Sequence, residues 1–160
     1  MLTTDPNNRG FQIQEGEVRS RGVEVEGKVS PFAGLTLLAN YTYTDAEVTK
    51  SNTNTLGNTP ENTPEWMASL WGEYAFQQSD LDGLVLGGGM RSVGPSVNLA
   101  DTVEVPTYTV FDAMIGYERN GWEVALNATN LFDREYFASC TYGCFYGDAR
   151  TLIGTIGYEW

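Results

Sequence analysis

The chain has 160 residues, one domain's worth, with 41% hydrophobic residues, 9 Lys and Arg against 21 Asp and Glu, and a formal net charge of -12. That balance excludes a nucleic-acid partner, because no basic patch exists to neutralise phosphates, and acidity by itself asks only for solubility. No apolar run reaches the roughly 18 residues of a transmembrane helix, and Met1-Leu-Thr-Thr-Asp-Pro-Asn-Asn8 is too polar for a signal peptide, but a β-barrel needs only about ten alternating residues per strand.

In chain order, residues 1–16 read as a loop with a short strand-like piece at Phe11-Gln-Ile-Gln14. Seven strands are predicted over 17–29, 35–48, 65–76, 83–93, 106–119, 122–130 and 149–160, and almost nothing reads as helix. The first sets Val23, Val25 and Val29 against Glu24, Glu26 and Lys28; the second sets Leu35, Leu37, Ala39, Tyr41 and Tyr43 against Thr36, Asn40, Thr42 and Thr44. Trp66, Ala68, Leu70, Tyr74 and Phe76 share a face in the third. Phe111, Ala113, Ile115 and Tyr117 oppose Asp112 and Glu118, and Trp122, Val124, Leu126 and Ala128 oppose Glu123, Asn127 and Thr129. The last strand sets Leu152, Gly154, Ile156, Tyr158 and Trp160 against Thr151, Thr155, Gly157 and Glu159, and a chain ending mid-strand on an aromatic is how transmembrane barrels finish.

Alternation alone fits a soluble β-sandwich as well as a barrel. What separates them is that Tyr41, Tyr43, Trp66, Tyr74, Phe76, Tyr117, Trp122, Tyr158 and Trp160 fall on the apolar face near strand ends, where amphipathic rings meet a membrane–water interface. The connections agree. Pro31-Phe-Ala-Gly34, Gln77 to Asp82 and Asn120-Gly121 are short, whereas 49–64, 94–105 and 131–148 are long, and the two kinds alternate as in an outer-membrane barrel with periplasmic turns and surface loops. The expected architecture is all-β, an antiparallel up-and-down transmembrane barrel segment with the long loops at the cell surface.

Cys140 and Cys144 lie in the last long loop. The chain has no His and no other Cys, so a disulfide fits better than a metal site, and it implies an oxidising compartment. Without His an enzymatic reading lacks the common general base, and Asp112, Glu123 and Glu159 are spaced as carboxylates of a polar wall. Gly87-Gly-Gly89 lies inside a strand without the Lys-Ser/Thr of a phosphate loop, so close backbone approach or strand curvature explains it, and no cofactor is expected.

Asn127-Ala-Thr-Asn-Leu-Phe-Asp-Arg-Glu-Tyr136 resembles the hallmark near the carboxyl end of TonB-dependent outer-membrane receptors. Gly16-Glu-Val-Arg-Ser-Arg-Gly-Val-Glu-Val-Glu26, Asn62-Thr-Pro-Glu-Trp66 and Val105-Pro-Thr-Tyr-Thr-Val-Phe-Asp112 resemble that family's strand and loop motifs in the family's order. Ala138-Ser-Cys-Thr-Tyr-Gly-Cys-Phe-Tyr-Gly147, followed by Arg150, is similar to the last surface loop of ferric-siderophore receptors of the ferrichrome type. The resemblance implies that residues 1–160 are the carboxyl-terminal part of a larger barrel of 22 strands, without its amino-terminal plug. It implies a ferric-siderophore ligand, a TonB complex reached through the missing amino-terminal region, outer-membrane lipid, and barrel-assembly machinery acting on the last strand. That terminal signal departs from the family's pattern, with Thr155 where Gly is favoured and Gly154 beside it.

In the last long loop Tyr136, Phe137, Tyr142, Phe145 and Tyr146 offer flat apolar faces with hydroxyl tips, suited to an organic chelate, and packing of loop on loop explains them equally well. A Cys140–Cys144 bridge would reduce the ordering cost of binding. Arg150 is expected to pair with Asp148 or with a ligand oxygen. An acidic sandwich binding module and a porin-like barrel without a plug stand as alternatives.

Overall fold

A computed structural model of the chain describes residues 2–14, 16–78, 80–98 and 100–160. The described residues form the strands β1 (Thr3–Thr4), β2 (Gln12–Ile13), β3 (Glu17–Phe32), β4 (Leu35–Lys50), β5 (Trp66–Ala75), β6 (Leu84–Val93), β7 (Ser96–Val97), β8 (Glu104–Val105), β9 (Tyr108–Arg119), β10 (Trp122–Thr129), β11 (Phe137–Cys140), β12 (Cys144–Tyr146) and β13 (Thr151–Tyr158). Seven of them make one antiparallel sheet in the order β13-β10-β9-β6-β5-β4-β3. These are the seven strands predicted from alternation, with ends that move by a few residues. The largest difference is β3, which runs on to Phe32 through Pro31 and an irregularity between Val29 and Phe32. Proline lacks a ladder N–H, and Pro31 falls inside that irregularity, where it has no paired residue on β4.

The short connections lie at one end and the long ones at the other. Asn120 and Gly121 have φ of 54° and 79°, the pair of positive values a type I′ hairpin turn demands. The long connections carry pairs the alternation did not reveal: β7 with β8, and β11 with β12. Each is too short to show a period, and β11–β12 is further masked by an irregularity between Phe137 and Ser139. In the amino-terminal loop the expected strand-like piece is β2, paired with β1.

Register carries one face across the whole sheet, since directly paired residues lie on the same side. Val23 pairs with Tyr43, which pairs with Trp66; Leu86 pairs with Tyr74 and with Ile115, and Ile115 with Leu126; Trp122 pairs with Tyr158 and Val124 with Ile156. Every apolar set named from sequence joins this face. Its large side chains are exposed or half-exposed from one edge of the sheet to the other, with Val23 at 61%, Leu126 at 47% and Ile156 at 71%, and only the small Ala128 of the named sets is buried. Among the described residues no second sheet covers them. Among the described residues the buried apolar set is Ala46, Val48, Val105, Val110, Ala128 and Cys140, too few for a sandwich core.

The opposite face carries Glu24, Glu26, Asn40, Ser69, Arg91, Asp112, Glu118, Glu123 and Asn127, placed there by the same register. It is not uniformly polar. Trp71 also points to this side and its indole lies across β6, where a Cβ on Gly87 would sit 2.6 Å from the ring and one on Gly89 2.8 Å from it. Gly87 and Gly89 therefore serve close approach, one of the two roles that their position inside a strand allows.

Rings mark both ends of the apolar face. At the short-turn end Phe32, Tyr74 and Phe76 are in contact, as are Trp122, Tyr158 and Trp160. At the long-loop end stand Tyr43, Trp66 and the pair Phe111–Phe132. Trp66 and Tyr74 are the two ends of one strand, about 26 Å apart along it and about 20 Å along the normal at a barrel tilt near 40°. Beyond Tyr43 the same face turns charged, with Arg21 opposite Asp45 and Arg19 paired to Glu47. The apolar band thus has two ringed limits and an ionic margin.

Candidate functional site

The three long loops meet at one end and are bonded to one another. The N–H of Asn62, in the first, donates to the carbonyl of Val97 in the second at 2.9 Å, and Glu65 N–H donates to Pro95 at 3.2 Å. The last loop joins through Cys140, whose N–H donates to Asn62 Oδ1 at 3.0 Å.

The Asn130-Leu-Phe-Asp-Arg134 stretch anchors the last loop. Asn130, 3% exposed and with φ 49°, donates through Nδ2 to the carbonyls of Arg134 and Asp148 at 2.9 and 3.0 Å and accepts the Arg134 N–H at 2.9 Å. One amide side chain so ties the exit of β10 to the approach of β13. Leu131 N–H extends the β9 ladder by donating to Phe111, and Phe132 packs edge-on against the Phe111 ring. Asp133 accepts the Arg150 N–H at 2.8 Å and faces its guanidinium at 4.0 Å. Arg150 thus pairs with Asp133, rather than with the Asp148 or ligand oxygen that sequence suggests, because the Asn130 knot brings the 130s turn against the start of β13.

Below the loops, on the polar face, lies a cavity of about 440 Å³ lined by Trp71, Arg91, Asp112, Asn127, Asn130 and Tyr136, among others. Arg91 donates to both carboxylate oxygens of Asp112, at 2.6 and 3.1 Å, and Asp112 also accepts the Asn130 N–H at 3.0 Å. Asp112 is therefore an organised member of the cavity wall rather than a freely solvated carboxylate. Glu123 and Glu118 face each other across β10 and β9 on the same side.

The five loop aromatics share one segment but not one pocket. Tyr136 reaches the cavity, with its ring stacked on Tyr108 at 4.2 Å and 28°. That position depends on Gly147, where a Cβ would fall 2.0 Å from the Tyr136 ring. Phe137 and Tyr146 stack on each other across the β11–β12 hairpin at 4.8 Å and 27°. Phe145 and Tyr142 project outward, Tyr142 at the tip being 96% exposed. Cys140 and Cys144 are joined in a disulfide with Cα atoms 4.1 Å apart, closing the hairpin just below that tip. Sequence reading missed Arg91, Tyr108 and Trp71, which neighbour the cavity through register rather than through any local pattern. Asn130 stood inside the recognised motif, but its role as a knot depends on which carbonyls the fold brings to it.

An exposed apolar sheet face with ringed limits, a polar opposite face and bonded loops at one end defines the wall of a transmembrane β-barrel. The family model described as "TonB dependent receptor-like, beta-barrel" matches residues 1–131, and the chain belongs to that family. It is 45% identical over 166 residues to the ferrichrome outer membrane transporter/phage receptor of Escherichia coli (strain K12), which covers 99% of this chain and 22% of the relative. It is 35% identical to the ferrioxamine B receptor of Salmonella typhimurium, covering 89% of this chain and 22% of that relative. In structure it is similar to the siderophore receptor PiuA from Acinetobacter baumannii, with a TM-score of 0.79 and 25% identity over 99% of this chain and 24% of the other. The chain spans about a fifth of the length of the curated relatives it matches. The Escherichia coli relative is an outer membrane transporter and the other two are receptors, and the chain is an outer-membrane component.

Proposed function

We propose that this chain is the carboxyl-terminal wall and surface-loop portion of an outer-membrane receptor that captures a ferric siderophore and passes it inward with energy from the TonB complex. The observation that carries the proposal is the apolar face that register extends, uncovered, across all seven strands of the sheet. Such a face needs lipid, and the outer edges of β3 and β13 need further strands, because unpaired backbone is costly in a bilayer. The nine ring positions predicted as a girdle, from Tyr41 to Trp160, then lie at or near the two membrane–water interfaces. The plug and the TonB contact belong to the rest of the receptor.

The ligand class comes from the relatives named for ferrichrome and ferrioxamine B. Tyr136 contacts the chelate from the cavity wall, while Phe137, Phe145, Tyr146 and Tyr142 present the hairpin to it from above. The test is uptake of radioactive ferrichrome by cells whose own hydroxamate receptors are deleted and which express the complete gene. Uptake that disappears with tonB supports the proposal. A protein present in the outer membrane that gives no TonB-dependent uptake, yet admits unrelated small solutes, would make it a passive porin-like barrel.

A further inference from the structure

We infer that Asn62 is a positioning residue that binds the three long loops into one unit and presets the disulfide hairpin carrying the candidate ligand contacts. The receptor reading enters only in what the hairpin binds. Asn62 opens the Asn62-Thr-Pro-Glu-Trp66 stretch and has φ 52°, the left-handed region that Asn tolerates better than most side chains. In that conformation its two polar ends point to different loops. The N–H meets Val97 in β7 at 2.9 Å, and Oδ1 meets the N–H of Cys140 at 3.0 Å, across 78 residues of sequence. Cys140 is 2% exposed, so its N–H has no ready access to water and depends on that acceptor. The same cysteine is half of the Cys140–Cys144 bridge. A force on the hairpin therefore passes through one amide side chain to the first loop and through that residue's backbone to the second. The β11 strand also lies against β8 of the second loop, which closes the circuit. Loops held this way meet a ligand already ordered, which lowers the entropic cost of capture.

The test is hydrogen exchange read by mass spectrometry on the complete receptor in detergent, with Asn62→Gly and Asn62→Asp. Glycine keeps the positive φ and removes the acceptor; aspartate keeps an acceptor at the same place. Asn62→Gly is expected to speed exchange in segment 137–146 on the order of tenfold, the loss of a single hydrogen bond, while Asn62→Asp stays within about twofold of the parent. The barrel strands should not change. Replacing both cysteines by serine should speed exchange at 60–64 and 96–98 in the parent but add little in Asn62→Gly, because coupling through a shared tie is reciprocal. Equal exchange in 137–146 for Asn62→Gly and the parent, or Asn62→Asp behaving like Asn62→Gly, would overturn the inference. In parallel, ferrichrome affinity should fall several-fold in Asn62→Gly and hold in Asn62→Asp. A parent protein that does not bind ferrichrome would overturn the ligand class instead, and the exchange arm would still decide the tie.

Discussion

Replacing Leu126 by Arg asks whether the exposed apolar face meets lipid. Leu126 lies on β10, pairs with Ile115 and Gly154, and is flanked on its own strand and face by Val124 and Ala128. It is four residues from the belt ring Trp122, about 13 Å along the strand and about 10 Å along the normal at a tilt near 40°, close to the middle of an apolar band about 25 Å tall. An arginine there costs about 2–4 kcal/mol, on the order of 30- to 900-fold in the ratio of folded to unfolded protein. Asn127→Arg, one residue on, points into the polar cavity near Asp112 and is expected to cost under about 1 kcal/mol. The assay is a reversible urea titration of the complete receptor in phosphatidylcholine vesicles, comparing midpoints at constant slope. Equal costs for the two arginines, or a larger one for Asn127→Arg, would refute the assignment of faces.

Asn130→Ala removes three hydrogen bonds from a buried side chain and should cost about 2–4 kcal/mol in the same titration; Asn130→Gly, which restores ease at φ 49°, should recover only a small part of it. Gly87→Ala puts a methyl 2.6 Å from the Trp71 ring and should cost about 1–3 kcal/mol, much of it relieved when Trp71→Leu is combined with it. Tyr136→Ala is expected to weaken ferrichrome binding about tenfold at unchanged outer-membrane level, whereas Tyr142→Ala at the solvent-exposed tip changes it less than about twofold, as read by radio-iron filter binding.

What was legible in the residues was whatever repeats with the period of a strand. Trp122, Val124, Leu126 and Ala128 announce their common face because successive Cβ atoms alternate, and Asn120-Gly121 announces its turn because few other pairs accept two positive φ values. The soluble sandwich, which the same alternation permits, fails on exposure: Val23, Leu126 and Ile156 have no second layer over them. Loop chemistry was legible only as composition. The disulfide follows from the absence of other ligands, but sequence offers only Asp148 or a ligand oxygen as partners for Arg150, and the structure gives Asp133, since the knot at Asn130 sets that contact from 20 residues upstream. Arg91 meets Asp112 because β6 and β9 pair in one register out of several, and no window of sequence around either residue carries that information.

Nitroxide scanning along β10 in the assembled receptor tests the central claim most directly. With a spin label placed in turn at positions 122 to 129, labels at 122, 124, 126 and 128 should be relaxed by oxygen, which concentrates in lipid, and those at 123, 125, 127 and 129 by a water-soluble nickel chelate. Loss of that two-residue rhythm, or water access at 124 and 126, would contradict the account.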